Sequence, residues 1–389
     1  MPHKIKLLNK ISPAVAEILG AGYDVSEAHE SPCAIVVRSA DMHSYARPAS
    51  LLAIARAGAG VNNIPVEDCG KSGVVVFNTP GANANAVAEL VVASMLLAGR
   101  DILGGANWVQ TQTALDAATL TKTIEKEKSK YVGPELRGKT LGVIGLGAIG
   151  AIVANAAVGL GMDVVGFDPF ISPEHAWSLS RSVRKAASIE DILCCADFIT
   201  LHVPLVADTR GMISAAAIAK MKDGAALLNF SRGELVDSAA LVSAVQSKKL
   251  RAYATDFPTP EMLGVAGIIA LPHLGASTPE SEENCAVMAA QELRDFIENG
   301  AIKNSVNLPD VALSAIPAGI SRVTVIHKNT PGMLGVITAI AAADGVNIAN
   351  LTNKSRGELA YTVLDIDGGA ADWQTKLADA AGVLRVRVL

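Results

Sequence analysis

The chain has 389 residues, half of them hydrophobic and only 4% aromatic, with a formal charge of −5. That length exceeds one ordinary core and that apolar content excludes a disordered chain, so two or three α/β domains are expected. The mild negative charge argues against nucleic acid or an anionic membrane as partner, and an anionic substrate must be met by local arginines.

Five cysteines, Cys33, Cys69, Cys194, Cys195 and Cys285, lack metal-ligand spacing, so no metal is expected, and their odd number speaks against a disulfide framework. Cys194 and Cys195 end an apolar helix pattern and are expected to be core thiols. The opening MPHKIKLLNK has no secretory pattern and no apolar run is long enough to span a bilayer, which predicts a cytoplasmic protein.

In chain order, residues 4–8 read as a strand, 13–19 as a helix with Ser12 as cap, and Ala34–Val37 as a strand ending at Arg38 and Ser39. Short apolar strands at 51–55 and 74–77 complete a small open parallel sheet. Polar glycine-rich turns at 56–63 (RAGAGVNN) and 78–85 (NTPGANAN) follow the strands, where such sheets place ligands. Residues 85–100 predict a long helix. The segment 101–139 has no strand signal, and its Lys/Glu-rich tail, with Lys122, Lys126, Lys128 and Lys130, fits either a solvated helix or an arm reaching a neighbouring subunit.

From Leu141 a strand, a tight turn with Gly145, Gly147 and Gly150, a helix and a second strand ending at Asp168 follow one another. Gly145 permits the turn, Gly147 lets backbone amides approach a pyrophosphate and Gly150 lets helix and strand pack closely. Asp168, 18 residues beyond Gly150, stands where an acid bonds ribose hydroxyls, and no arginine adjoins it to screen a 2′-phosphate. NAD is therefore expected rather than NADP.

Further strands at 164–167, 198–203, 225–230, 251–256 and 268–271 alternate with helices at 188–195, 214–221 and 238–249. Pro279–Asn299 is a long helix with an acidic amino end. Residues 300–320 form a linker. A βαββαβ order then predicts a ferredoxin-like module, with a strand at 322–327, a helix at 332–344, a hairpin of 346–355 and Leu359–Asp367, a helix at 371–381 and a strand at 383–389. The expected architecture is two doubly wound parallel-sheet α/β domains plus this module. Residues 1–98 with 273–305 are assigned to a substrate domain, 99–272 to an NAD-binding domain and 321–389 to the terminal module.

Oxidation of a 2-hydroxy acid needs a base for the hydroxyl proton, a cation for the carboxylate and a nicotinamide beside them. Arg232, just past a buried strand, can hold a carboxylate bidentately. Of seven histidines, His273 lies in a PHLGAST turn after a buried strand and is the candidate base. Glu261 is its candidate partner, Asp256 a candidate acceptor for the carboxamide, and His202 a wall of the cofactor cleft.

The glycine turn with Asp168, HVP at 202–204, NFSRG at 229–233, DFPTPE at 256–261 and PHLGAST at 272–278 together resemble the D-2-hydroxyacid dehydrogenases, over residues 1 to about 305. The resemblance implies Arg232 as substrate-orienting cation, Glu261 as partner of the base and His273 as proton donor or acceptor. It implies cofactor contacts from Gly145, Gly147, Ala148, Ile149, Gly150, Asp168, His202, Val203, Pro204, Phe230, Ser231, Arg232, Asp256, His273, Leu274, Gly275 and Ala276. The DFPTPE segment departs from the family in lacking a valine after Asp256 and carrying Pro260 before Glu261.

The VVRS run at 36–39 and RAGAGVN at 56–62 resemble substrate-domain motifs of members acting on phosphorylated substrates, which implies that Arg38, Ser39 and Asn83 bind phosphate and carboxylate oxygens of a phosphorylated 2-hydroxy acid. The terminal module resembles an ACT regulatory domain, with His327, Asn329 and Asn347 at positions that bind L-serine in relatives; assembly without an effector is the other reading. A homodimer or homotetramer is implied. Two alternatives stay open: another 2-hydroxy acid, such as glycerate, glyoxylate or lactate, and a non-catalytic NAD-sensing protein.

Overall fold

The computed structural model describes residues 2–370 and 372–389. The chain divides into two compact units, Met1–Asn83 with Pro279–Leu389, and Ala84–Thr278.

In the first unit, β1 (His3–Leu8), β2 (Tyr23–Ser26), β3 (Ala34–Val37), β4 (Ala53–Arg56) and β5 (Val75–Asn78) form a parallel sheet in the order β2-β1-β3-β4-β5. Alternate residues supply its two faces. Val36, Ala55 and Phe77 pack with Ala286, Leu293 and Phe296 of the helix Pro279–Asn299, while Ile35, Ile54 and Val76 face a second cluster with Met42 and Leu51. The strand order turns back between β1 and β3, so the loops after these two strands, at Asn9 and Arg38, flank the position where doubly wound sheets accept ligands. The edge strand β2 is unforeseen in the sequence, being short and half-buried, with no full apolar run.

In the second unit, β6 (Thr140–Ile144), β7 (Asp163–Phe167), β8 (Val183–Lys185), β9 (Phe198–Leu201), β10 (Ala225–Asn229), β11 (Leu250–Thr255) and β12 (Ile268–Ala270) form a seven-stranded parallel sheet in the order β12-β11-β10-β9-β6-β7-β8. β9 and β10 are buried along their whole length, as covered parallel strands must be. The order reverses at β6, whose carboxyl end carries the glycine turn.

The helix Ala84–Gly99 belongs to this unit, not to the first domain as its place in the sequence suggests. Its Val87, Val91, Met95 and Ala98 bury against Leu141, Val143, Phe198 and Leu228. The helices Ile102–Gln110 and Ala117–Glu127 bury no residue, and in the turn that follows the second, Lys128 pairs with Glu125 and Lys130 with Glu127, as on a solvated arm. The expected core thiols need correcting: the helix Ile189–Cys195 buries Ile192 and Leu193, which rotates Cys194 outward to solvent and leaves Cys195 half-buried.

The terminal module is the expected βαββαβ: β13 (Ile320–Lys328), helix Met333–Ala343, β14 (Ile348–Arg356), β15 (Leu359–Asp367), helix Trp373–Ala378 and β16 (Val383–Val388), in an antiparallel sheet of order β14-β15-β13-β16. The predicted last helix began at Ala371, which lies outside the described residues. One sheet face, with Val323, Val325, Leu364 and Ile366, packs on its two helices. The other face, with Ile326, Tyr361 and Val363, enters the core of the first unit, so the module groups with that unit instead of standing apart beyond a linker. Arg322, 2% exposed, holds Asp365 with two hydrogen bonds of 2.6 and 2.9 Å and donates to the carbonyls of Asn299 and Ser314. Arg387 donates to the carbonyls of Phe296 and Ile297, serving acceptors left over at the end of the long helix.

Candidate active site

The glycine turn is built on sterics that only glycine meets. At Gly145 φ is +93°, and a Cβ there would lie 2.4 Å from the His202 carbonyl oxygen; at Gly150 a Cβ would lie 2.0 Å from the carbonyl of Gly145. Gly147 faces open space, and as cap of the helix Ala148–Gly159 it offers no side chain to the first helical amides. A cradle with close backbone packing on one side and uncapped amides on the other fits a dinucleotide pyrophosphate.

Asp168 anchors this cradle. Its Oδ2 accepts from the Leu146 amide and its Oδ1 from the Phe170 amide, both at 2.8 Å, and each oxygen keeps acceptor capacity for ribose hydroxyls. Beside the turn, His202 Nε2 pairs with Thr200 Oγ1 at 2.9 Å, while its buried Nδ1 has no partner among the described residues. Burial pushes the imidazole pKa down to about 3, so it stays neutral at physiological pH and is a poor proton acceptor. An imidazole held neutral in this way is not the candidate base.

At the end of β10, the fully buried Asn229 donates from Nδ2 to the carbonyl of Arg232 at 2.8 Å and accepts the Ser231 amide at 3.2 Å. Ser231 Oγ donates to the Leu201 carbonyl at 2.7 Å. The NFSRG turn is thus tied to its own strand and to β9, and the Arg232 side chain projects exposed, with Nη1 on the Ser231 carbonyl.

Asp256, 3% exposed, follows β11 and accepts the Leu274 amide on Oδ1 at 3.0 Å and the Gly275 amide on Oδ2 at 2.7 Å. Its carboxylate therefore holds the turn that carries His273, an engagement absent from the expectation of a carboxamide acceptor. His273 itself is exposed, with φ +55°, a left-handed conformation uncommon for a residue with a Cβ.

Phe257 joins the two candidate groups. Its ring meets the His273 ring edge-on at 4.9 Å between centroids, and its Cβ lies 3.2 Å from where a Cβ on Gly233 would stand. The motifs that contain Phe257 and Asn229 do not by themselves reveal these roles; the signals they carry are an aromatic following a strand-end acid and a buried strand-end asparagine.

Glu261 corrects an expectation. It lies exposed on the short turn Pro260–Met262, and among the described residues no hydrogen bond or ion pair joins it to His273. Thr259 is extended and Pro260 opens the turn, which leaves the glutamate at the solvent surface.

In the first unit, Arg38 follows β3 and pairs with Glu282 at 2.6 Å, the Ser39 amide donates to Asn9 Oδ1 at 3.0 Å, and Asn83 is half-buried. In the terminal module His327 is 2% exposed, with Nε2 on Thr362 Oγ1 and Nδ1 on the Lys328 carbonyl, both at 2.8 Å. Its ring is interior, and the expected role in holding an effector does not suit it. Asn329 donates to the Gly357 carbonyl at 3.2 Å and Asn347 to Asp367 at 2.8 Å.

Residues 92–279 match the family described as D-isomer specific 2-hydroxyacid dehydrogenase, NAD binding domain. A D-3-phosphoglycerate dehydrogenase of Haemophilus influenzae is 33% identical over 342 residues, covering 85% of this chain and 79% of that protein. One of Archaeoglobus fulgidus is 36% identical over 288 residues, covering 72% of this chain and 52% of its own length, so the chain spans about half of that relative. The NAD+-bound 3-phosphoglycerate dehydrogenase of Entamoeba histolytica superposes with a TM-score of 0.61 at 27% identity, covering 79% of this chain and 99% of that one.

A doubly wound sheet with this glycine cradle and strand-end acid is a dinucleotide-binding domain. The chain belongs to the D-isomer specific 2-hydroxyacid dehydrogenase family, and its cofactor is NAD.

Proposed function

We propose that the protein oxidises 3-phospho-D-glycerate to 3-phosphohydroxypyruvate. The observation that carries this reading is the Asp256 carboxylate gripping the amides of Leu274 and Gly275, which presents His273 on a turn that Phe257 joins to the Arg232 loop. The chemistry NAD supplies when bound is acceptance of hydrogen and two electrons from the carbinol carbon. His273 takes the hydroxyl proton, for which an exposed imidazole on a fixed turn is suited. Arg232 holds the carboxylate with its planar fork and polarises the developing carbonyl. Arg38 and Ser39 meet the phosphate, and the names of the relatives support that substrate class.

The terminal module is read as an ACT regulatory module that takes L-serine at Asn329 and Asn347, placing the enzyme in serine synthesis. The chain is read as a homodimer or homotetramer.

The test is a rate assay of purified protein with NAD against 2-hydroxy acids, phosphorylated and not, with and without L-serine. Preference for 3-phosphoglycerate over glycerate and lactate is expected. Arg232→Ala should lower kcat/KM by about a hundredfold or more, the scale of losing a charged transition-state contact. Near-normal turnover in that variant would reject the assignment, and no absorbance change at 340 nm with any acid would favour an NAD-sensing protein.

A further inference from the structure

We infer that Glu282 tunes the affinity of the Arg38 end for its anion: it is an internal carboxylate that occupies Arg38 and yields it to a dianionic group. The inference rests on the reading of Arg38 as a substrate-binding residue.

The root of Arg38 is fixed. Its carbonyl accepts Arg56 Nε at 3.1 Å and Asn63 Nδ2 at 3.4 Å, and the amides of Ser39 and Ala40 both donate to Asn9 Oδ1, at 3.0 and 2.7 Å. Arg56 can fold back in this way because Gly58, at φ +146°, has no Cβ; one there would lie 1.9 Å from Arg56 Nη1. The guanidinium of Arg38 is less constrained. It pairs with Glu282 Oε1 at 2.6 Å, and the two side chains are 36% and 43% exposed. A pair this open to water is weak and exchanges readily.

Glu282 does not depend on Arg38 for its place. It lies in the first turn of the helix Pro279–Asn299, where the helix dipole already favours a negative charge. Its Oε1 takes the Arg38 Nη1 that an incoming anion would use. A hydroxymethyl group cannot displace it, and a second carboxylate competes only on equal terms. A phosphate, with nearly two charges and three acceptor oxygens, wins the guanidinium. Glu282 thereby weakens the hold of Arg38 on a phosphate by the free energy of the ion pair that must be given up.

The test is steady-state kinetics of the full chain with saturating NAD, using 3-phosphoglycerate and D-glycerate as probes. Glu282→Gln should lower KM for 3-phosphoglycerate about threefold, the value of an exposed ion pair, with kcat unchanged and KM for glycerate unmoved. Glu283→Gln removes the same charge one residue along and should change neither KM. Arg38→Ala should raise KM for 3-phosphoglycerate, and in that background Glu282→Gln should have no further effect. An unchanged or raised KM in Glu282→Gln, with Arg38→Ala still damaging, overturns the role of Glu282. An Arg38→Ala variant with unaltered KM instead rejects the substrate-binding reading beneath it.

Discussion

The amide of Gly275 lies 2.7 Å from Oδ2 of Asp256, and a methyl group added at position 275 would stand 2.9 Å from that same oxygen. The contact makes Asp256 the positioning residue for the His273 turn. In Asp256→Asn one of the two backbone amides must face an NH2 group, and a buried donor without an acceptor costs about 1–3 kcal/mol. Both Asp256→Asn and Gly275→Ala are expected to lower the melting temperature and to reduce kcat at least about tenfold, with KM for NAD less affected. Thermal melts with initial rates check this, and wild-type kcat in both variants would detach Asp256 from the catalytic turn.

Gly150 and Gly147 should separate stability from cofactor binding. Alanine at 150 meets the Gly145 carbonyl at 2.0 Å and has no room to relax, so Gly150→Ala should lose stability before any ligand is added. Alanine at 147 meets nothing within 4 Å, so Gly147→Ala should melt close to wild type while its methyl holds a pyrophosphate off the amides. Calorimetric titration with NADH beside thermal melts distinguishes the two.

Glu292 sets a pH dependence. It is 6% exposed, Asn304 donates to its Oε1 at 2.7 Å, its Oε2 is buried without a partner among the described residues, and burial pushes its pKa up to about 8. Between the ordinary carboxylate range and pH 8 the unfolded chain has released this proton and the folded chain keeps it. Stability contributed at this site is therefore complete at acid pH and declines as pH rises, by up to about 1.4 kcal/mol per pH unit. Denaturant melts at pH 5.5 and 8 should show Glu292→Gln gaining on wild type at the higher pH; a pH-independent difference would place the ionisation elsewhere.

Arg322 and Asp365 form a buried pair whose halves are unequal to lose. Arg322→Ala strands a carboxylate inside the module and should cost about 3–5 kcal/mol, whereas Arg322→Met with Asp365→Leu should recover most of it. Chemical denaturation of the two variants is the check.

The dinucleotide cradle was legible in the sequence because its requirements are local. Gly145, Gly147 and Gly150 reflect backbone sterics within one turn, and the buried β9 and β10 declare themselves as apolar runs. The edge strands β2 and β8 did not, since short, half-exposed strands lack both a continuous apolar run and a clean alternation. His273 and Arg232 could be named from strand-end position and side-chain chemistry.

Their support could not. Asp256 reaches the His273 turn, Phe257 touches both His273 and the Arg232 loop, and Arg38 meets Glu282 only after distant segments are packed together. The sequence by itself determined the layers, the cofactor cradle and the chemical types at the strand ends, since backbone sterics and side-chain periodicity act within a few residues. Only the tertiary structure decided that Glu261 faces solvent, that His327 is interior and that an internal carboxylate holds Arg38, because hydrogen bonds and ion pairs are chosen by which surfaces meet across the fold.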